Sequence, residues 1–209
     1  MCEEHQLLCG SDLSQLEDKT KRHYIYFLDP KYVEEMEKPD FDPHLDIAEQ
    51  AKMLTHEQVI EHKTGIIKHT KVRKDAKQVN FACTYGAGVP KIMLTSGLSR
   101  SVASLLHETF WKRNWAVKKI AEQFTVRTIG NQMWVFNPIS KFWYSLRVEK
   151  DKFSTVNQSS GVYVFDNYLR EIRSRGLKEC GQFHDRILSW VNFVNCWKPL
   201  KSTKLQNNS

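Results

Sequence analysis

Two aspartates stand where a carboxylate could serve a metal ion. Asp12 follows the apolar run Leu7-Leu8-Cys9, which we interpret as a short buried strand, and Asp185 ends a second strand-like run near the other end of the chain. Magnesium prefers hard oxygen ligands, and two such ions about 3.5–4 Å apart can activate an attacking hydroxyl and stabilise a leaving oxygen. These strand ends indicate a two-metal site, although an aspartate after a strand, taken alone, more often serves a turn or a cap.

A second set of side chains recurs at every fourth position: Arg73, Lys77, Phe81 and Tyr85. On a helix they would share one face, with two cations near its N-terminal end and two rings farther along. Cations beside a positive helix N-terminus suit a triphosphate, and the rings can stack on a base or wedge against the neighbouring template base. The spacing also fits an amphipathic helix with a solvated basic edge and an aromatic core face.

The chain as a whole resembles the family A DNA polymerases of the phage type. Five motifs occur in that family's order, over about residues 7–190. Three precede the middle of the chain: the first palm motif D-x-S-x-x-E at 12–17, the D-x-H element at 42–44, and the fingers motif R-x3-K-x3-F-x3-Y-G at 73–86 with its Gly-Ala-Gly continuation. Two follow it: the palm-helix glutamine motif at 158–161, and the His-Asp-Glu motif, present as His-Asp-Arg, at 184–186. Each motif is weak alone, but five in order are strong.

The resemblance implies template-directed transfer of dNMP to a primer 3′-hydroxyl by a two-magnesium mechanism in DNA replication, with primer-template DNA and dNTP as partners. It also implies individual roles: Asp12 and Asp185 as metal ligands, Arg73 and Lys77 on the incoming triphosphate, His44 near its phosphates, Phe81 stacked at the incoming nucleotide, Tyr85 and Gly86 at the template position, Gln158 on the new duplex, and Glu17 as the steric gate against a ribose 2′-hydroxyl. Lys77 is also a candidate general acid, because an amine keeps its proton at neutral pH and can give it to the developing pyrophosphate.

The sequence departs from the family pattern in two places. The chain begins almost at the first palm motif, so we expect the thumb and the exonuclease-like domain to be absent and an upstream portion carrying the thumb to be a partner. Arg186 stands where the family has glutamate, and its charge would repel magnesium unless it points away or pairs with an acid. The alternative is therefore a non-catalytic nucleic-acid-binding remnant. A single-subunit RNA polymerase ranks third, because Glu17 argues against it.

The elements that must position these residues predict an α+β fold. The resemblance implies a palm sheet with an inserted helical fingers subdomain. We expect palm at 1–28, helical fingers at 29–126, palm again at 127–200 and a disordered tail at 201–209. Local patterns predict a helix opening at 14–17, helices from 45 to about 126 broken at the glycines, strands at 132–136 and 142–146, a long helix at 154–175, and strands at 179–185 and 187–194.

Composition limits the remaining function classes. The net charge of +7 favours a polyanionic partner, and the five cysteines contain no Cys-x-x-Cys pair that would indicate a zinc ribbon. Neither a signal peptide nor a membrane span is indicated, so we expect a cytoplasmic protein, in a phage-infected bacterial host by the resemblance. The spacing of His56, His62 and His69 fits no common zinc pattern. Four tryptophans are interpreted as packing residues rather than base-stacking platforms: Trp111, Trp115, Trp134 and Trp143.

Overall fold

The structure is a computed structural model that describes residues 6–183 and 186–192. In chain order its elements are β1 (Gln6–Asp12), α1 (Leu16–Ile25), α2 (Pro30–Met36), α3 (Pro43–Gln50), α4 (His56–Thr64), α5 (Thr70–Thr84), α6 (Val89–Ser96), α7 (Arg100–Arg113), α8 (Trp115–Gln123), β2 (Val126–Ile129), β3 (Gln132–Phe136), β4 (Trp143–Leu146), α9 (Lys152–Ser174), β5 (Lys178–Phe183) and β6 (Arg186–Asn192). The predicted α+β class is confirmed.

The chain divides into two compact units, which we call unit 1 (residues 1–16 and 162–209) and unit 2 (residues 17–161). Helix α9 contributes its first ten residues to unit 2 and the rest to unit 1. The division into palm and fingers stays a prediction.

Unit 1 contains an antiparallel sheet in the order β1-β6-β5. Three residues of α9, Phe165, Leu169 and Ile172, pack with Ile187 of β6 to form its core. Strand β1 is exposed from Leu7 to Asp12, so the prediction of a buried strand there is wrong. The physical reason is that β1 is an edge strand that pairs only with β6 among the described strands, so apolar residue types alone did not place it inside.

Unit 2 has two hydrophobic cores. Helices α3 to α7 form the first, around residues such as Leu45, Val79, Cys83 and Leu106. The second joins α1, α2, α8, the start of α9 and a separate antiparallel sheet of order β2-β3-β4. Trp111 contacts both cores, as expected of a packing residue.

The helix ends follow local sequence chemistry. Asp42 caps α3 by accepting hydrogen bonds from the backbone of His44 and Leu45, and Pro43 occupies the first helical position, where no N–H is needed. Thr55 and Gln58 form a capping box on α4.

Strand β2 was not predicted, because its four residues, Val-Arg-Thr-Ile, are too few for a clear alternation. No helix among the described residues is long and apolar enough to cross a membrane.

Candidate active site

The two faces of α5 differ sharply in burial. Ala76, Val79 and Cys83 are fully buried, whereas Lys77 is exposed, the Phe81 side chain is 48% exposed and Tyr85, which follows the last helical residue, is 42% exposed. The Lys77 Nζ lies 5.7 Å from the centroid of the Phe81 ring. The rings therefore belong to the accessible face together with the cation, and an aromatic core face is excluded.

Arg73 is held at the N-terminal part of this face by an aspartate from α3. The Arg73 Nε donates to Asp42 Oδ2 over 2.7 Å, while the other Asp42 oxygen caps α3. Burial opposes ionisation of Asp42, but the Arg73 hydrogen bond and the two backbone donors outweigh it and keep the pKa of this carboxyl below its ordinary value. The guanidinium is thus oriented by a carboxyl group whose ionised form is favoured.

His44 lies beside α5 as a neutral imidazole. Burial, opposed by Asp42 but reinforced by the charges of Arg73 and Lys77, lowers the pKa of His44 to about 4. Asn80 Nδ2 donates to His44 Nδ1 over 3.1 Å and to the Pro43 carbonyl over 2.9 Å. Because the amide N–H occupies Nδ1, the imidazole proton is assigned to Nε2, so His44 offers one neutral donor. Its ring centroid lies 5.8 Å from that of Phe81.

Glu17, in the first turn of α1, is fixed through both its side chain and its backbone. The Tyr85 hydroxyl donates to Glu17 Oε2 over 2.9 Å and to Oε1 over 3.2 Å. Asn157 of α9, which is buried, donates through Nδ2 to the Glu17 carbonyl over 3.0 Å. Burial and the Glu17 carboxylate raise the pKa of Tyr85, so the hydroxyl stays protonated and donates. The exposed side chain of Gln158 lies beside the same hydroxyl.

Gly86 reverses the chain after α5. Its φ of +71° lies in the left-handed region, where glycine has no steric penalty. The Gly86 carbonyl accepts a hydrogen bond from Lys150 Nζ over 3.3 Å. Gly86 therefore directly follows Tyr85, the residue that caps the C-terminal end of α5.

The predicted metal ligands lie in unit 1 and are only partly described. Asp12 ends β1, where it pairs in register with Arg186 of β6, and Arg186 Nε donates to Asp12 Oδ2 over 3.1 Å. Asp185 lies outside the described residues. Among the described residues there is no group of three or more metal-binding side chains. Of the two predicted ligands the structure therefore describes Asp12 alone, a carboxylate of the kind that magnesium prefers, and in this structure Arg186 binds it.

Sequence reasoning missed Asn80 and Asn157, which position His44 and Glu17. Both are buried on helix faces whose other buried members are mostly apolar or small, and an amide in such a position usually has a bonding role. That pattern was a usable signal. The partner of Arg186 could not be identified from the sequence, since the β1–β6 register depends on strands from opposite ends of the chain.

Comparison with known proteins supports the fold. A solved structure described as the POL domain of Pol1 from M. smegmatis, in complex with DNA primer-template and dNTP, superposes with a TM-score of 0.59 at 18% sequence identity and covers 92% of this chain. The chain spans 35% of the length of that protein chain. No protein-family model matches, and no curated protein matches. The described chain thus has a fold similar to part of a DNA polymerase domain.

Proposed function

We propose that this chain is the palm and fingers portion of a family A DNA polymerase of the phage type, which transfers dNMP to a primer 3′-hydroxyl on a DNA template. One observation carries the proposal: the accessible face of α5 presents Lys77, Phe81 and Tyr85 in order, with Glu17 fixed on the Tyr85 hydroxyl. An incoming nucleotide needs contacts to phosphate, base and sugar, and this face offers groups suited to each.

In the proposed complex Arg73 and Lys77 bind the triphosphate. A guanidinium has five N–H donors, so Arg73 can keep its Nε bond to Asp42 while its terminal nitrogens bind phosphate oxygens. His44 can add a neutral hydrogen bond through Nε2. A neutral donor suits this position, because a third cation beside Arg73 and Lys77 would be repelled in the absence of nucleotide.

Lys77 can also transfer the proton that the reaction requires. As the primer 3′-hydroxyl loses its proton to water and its oxygen forms a bond to the α-phosphorus, the bond from that phosphorus to the pyrophosphate oxygen breaks, and the departing oxygen gains negative charge. Lys77 Nζ donates a proton to that departing oxygen, which reduces the negative charge of the leaving group. Phe81 stacks at the incoming nucleotide, while Tyr85 and Gly86 occupy the template position and Gln158 contacts the new duplex.

Sugar selection is assigned to Glu17. Its carboxylate is held by Tyr85 and its backbone by Asn157, so the side chain cannot easily swing away from a clashing group. A fixed carboxylate rejects a 2′-hydroxyl by steric exclusion and by leaving polar groups unpaired.

Magnesium binding by Asp12 and Asp185 is part of the proposal and requires Arg186 to release Asp12. When bound, magnesium would activate the 3′-hydroxyl and neutralise phosphate charge. The Asp12–Arg186 ion pair is the observation that favours the second candidate, a nucleic-acid-binding remnant without metal chemistry.

Primer extension with dNTP and magnesium, in the presence of a thumb-bearing upstream portion, tests the two candidates. The proposed polymerase extends the primer, and Asp12→Asn abolishes extension. Asp166→Asn, the same acid-to-amide change on an exposed part of α9, should leave extension unchanged. Retained DNA binding without any extension would instead identify the chain as a remnant.

A further inference from the structure

The β2-β3-β4 sheet in unit 2 has one face that packs in the core and one that does not. On the core face Val135 pairs with Val126 on one side and with Tyr144 on the other. Alternation along the strands places a second set on the opposite face, which we call the outer face: Arg127, Ile129, Gln132, Trp134, Phe136, Trp143 and Ser145. The outer face carries three aromatic rings, although the sequence favoured packing roles for its tryptophans.

The rings of the outer face contact one another and an arginine. The Arg127 guanidinium carbon lies 4.4 Å from the centroid of the Trp143 ring, and the Phe136 and Trp143 centroids are 5.2 Å apart. Trp134 pairs directly with Arg127 across the strands. Trp134, Phe136 and Trp143 are only half-buried, and none belongs to a hydrophobic core among the described residues.

Hydrogen bonds to α9 and to the turn into β4 fix the backbone of the sheet that carries the outer face. Asn137, at the end of β3, is fully buried and donates through Nδ2 to the Ser159 and Ser160 hydroxyls of α9 over 2.7 and 3.0 Å. Its Oδ1 accepts from the backbone of Ile139 and Ser140, which fixes the turn into β4. Aromatic side chains on a fixed backbone lose little conformational entropy when they bind a ligand.

Charge indicates the kind of ligand. Between Phe124 and Val148 the sequence has no aspartate or glutamate but contains Arg127, Lys141 and Arg147. A sheet face that combines the Arg127 cation with accessible rings, in a segment without acidic residues, is complementary to unpaired bases on a phosphate backbone. Duplex DNA hides the faces of its bases, so such rings would gain little from it.

We propose that the outer face binds single-stranded nucleic acid by stacking bases on Trp134 and Trp143 while Arg127 contacts phosphate. The identification of this strand as the unpaired template ahead of the primer terminus rests on the proposed polymerase function. The strand-binding surface itself rests only on the rings, the cations and the exposure of the outer face.

The test measures binding of an oligo-dT of 15 nucleotides in EDTA, without dNTP, by fluorescence anisotropy. Trp143→Leu should weaken binding on the order of tenfold, as expected for one lost stacking contact. Arg127→Gln should weaken binding and also reduce the slope of log affinity against log salt by about 0.7, which corresponds to one phosphate contact.

Matched controls are available in the same unit. Trp115→Leu and Arg100→Gln change the same residue types at exposed positions on α8 and α7, and both should leave the affinity and the slope unchanged. Thermal unfolding of all four variants would detect loss of the fold. Equal weakening by test and control variants would overturn the proposal.

Photocrosslinking supplies a readout that survives misfolding of a variant, because it uses the unaltered chain. An oligo-dT containing 5-iododeoxyuridine should crosslink to the outer face, within peptides that contain Trp134 or Trp143. Crosslinks confined to other peptides would overturn the proposal. The proposal would also be overturned if double-stranded DNA prevented the crosslink as effectively as single-stranded DNA does.

The outcomes separate this inference from the proposed function. Extension assays report on α5, Glu17 and the aspartates, whereas the binding assay contains neither metal nor nucleotide. A chain that fails to extend primers but crosslinks on the outer face would refute the polymerase proposal and keep the strand-binding surface. A chain that extends primers but does not crosslink on the outer face would keep the polymerase proposal and refute the strand-binding surface.

Discussion

Glu17 in unit 2 and Asp12 in unit 1 are both proposed site acids, but different donors hold them. Glu17 accepts hydrogen bonds from the neutral Tyr85 hydroxyl, whereas Asp12 accepts from the charged Arg186 guanidinium. A neutral donor orients a carboxylate and leaves its charge in place, while a cation cancels that charge. In the proposed polymerase, unit 2 would therefore present a prepared nucleotide face, and Asp12 of unit 1 would have to exchange its partner before it could bind a metal.

The exposure of the Asp12 ion pair makes this exchange feasible. The side chains of Arg186 and Asp12 are 69% and 45% exposed. Exposed ion pairs contribute only about 0–1 kcal/mol, because water and salt screen them. A divalent cation with a second carboxylate could therefore displace Arg186 at small cost.

The largest expected effect concerns Lys77. Lys77→Ala should slow nucleotide incorporation by about a thousandfold, because both triphosphate binding and proton donation are lost. Affinity for primer-template DNA should change by less than about twofold. Single-turnover incorporation and DNA anisotropy measure the two quantities. Lys71→Ala, on the same helix with an exposed lysine paired to Asp75, is the control. Equal losses in the incorporation rate and in DNA affinity would indicate that Lys77 only binds the phosphate backbone of the DNA.

The next effect tests whether Glu17 is a gate. Glu17→Ala should reduce discrimination between dNTP and rNTP on the order of a hundredfold while dNTP use is retained. Tyr85→Phe removes the hydroxyl that holds Glu17 and should reduce discrimination by about tenfold, as for one hydrogen bond to a charged group. Tyr26→Phe, an exposed tyrosine at the end of α1, should have no effect. An unchanged preference in Glu17→Ala would reopen the RNA polymerase interpretation.

A smaller effect tests the neutral state of His44. Its folded-state pKa of about 4 is below the unfolded value near 6.5, so the unfolded chain binds the proton first as pH falls. Stability from this group is present above pH 6.5 and is lost as pH falls toward 4. At pH 5 the loss should be about 2 kcal/mol relative to pH 7. Urea unfolding at both pH values measures it, and His44→Gln should lack this part of the loss. Equal losses in both proteins would mean that His44 titrates normally.

The smallest effect concerns Arg186. Arg186→Gln should strengthen Mn²⁺ binding by about tenfold, because Asp12 regains its full charge and a repelling cation is removed. Electron paramagnetic resonance of free Mn²⁺ measures binding without catalysis. Arg175→Gln breaks another exposed ion pair of unit 1, with Glu171, and is the control. Unchanged Mn²⁺ affinity in Arg186→Gln would show that the pair with Asp12 does not limit metal binding.

The sequence predicted the elements with strong periodicity and missed contacts between distant segments. The helix expected at 154–175 is Lys152–Ser174, and the strands expected at 132–136 and 142–146 are Gln132–Phe136 and Trp143–Leu146. The stripe on α5 followed from its four-residue spacing. The exposure of β1, the Asp12–Arg186 pair and the hold of Asn157 on Glu17 each depend on residues more than a hundred positions apart, which no local pattern encodes.

The rate at which Cys83 is chemically modified can report on the accessible face of α5. Its thiol is fully buried beneath that face, and burial raises its pKa to about 12. Because the thiolate is the species that attacks a disulfide reagent, we expect Cys83 to react more slowly than the exposed Cys9 and Cys180. In a variant whose other four cysteines are replaced by serine, the rate of thiol modification would report how readily Cys83 becomes accessible, and a nucleotide that binds across Lys77 and Phe81 would slow that modification without catalytic turnover.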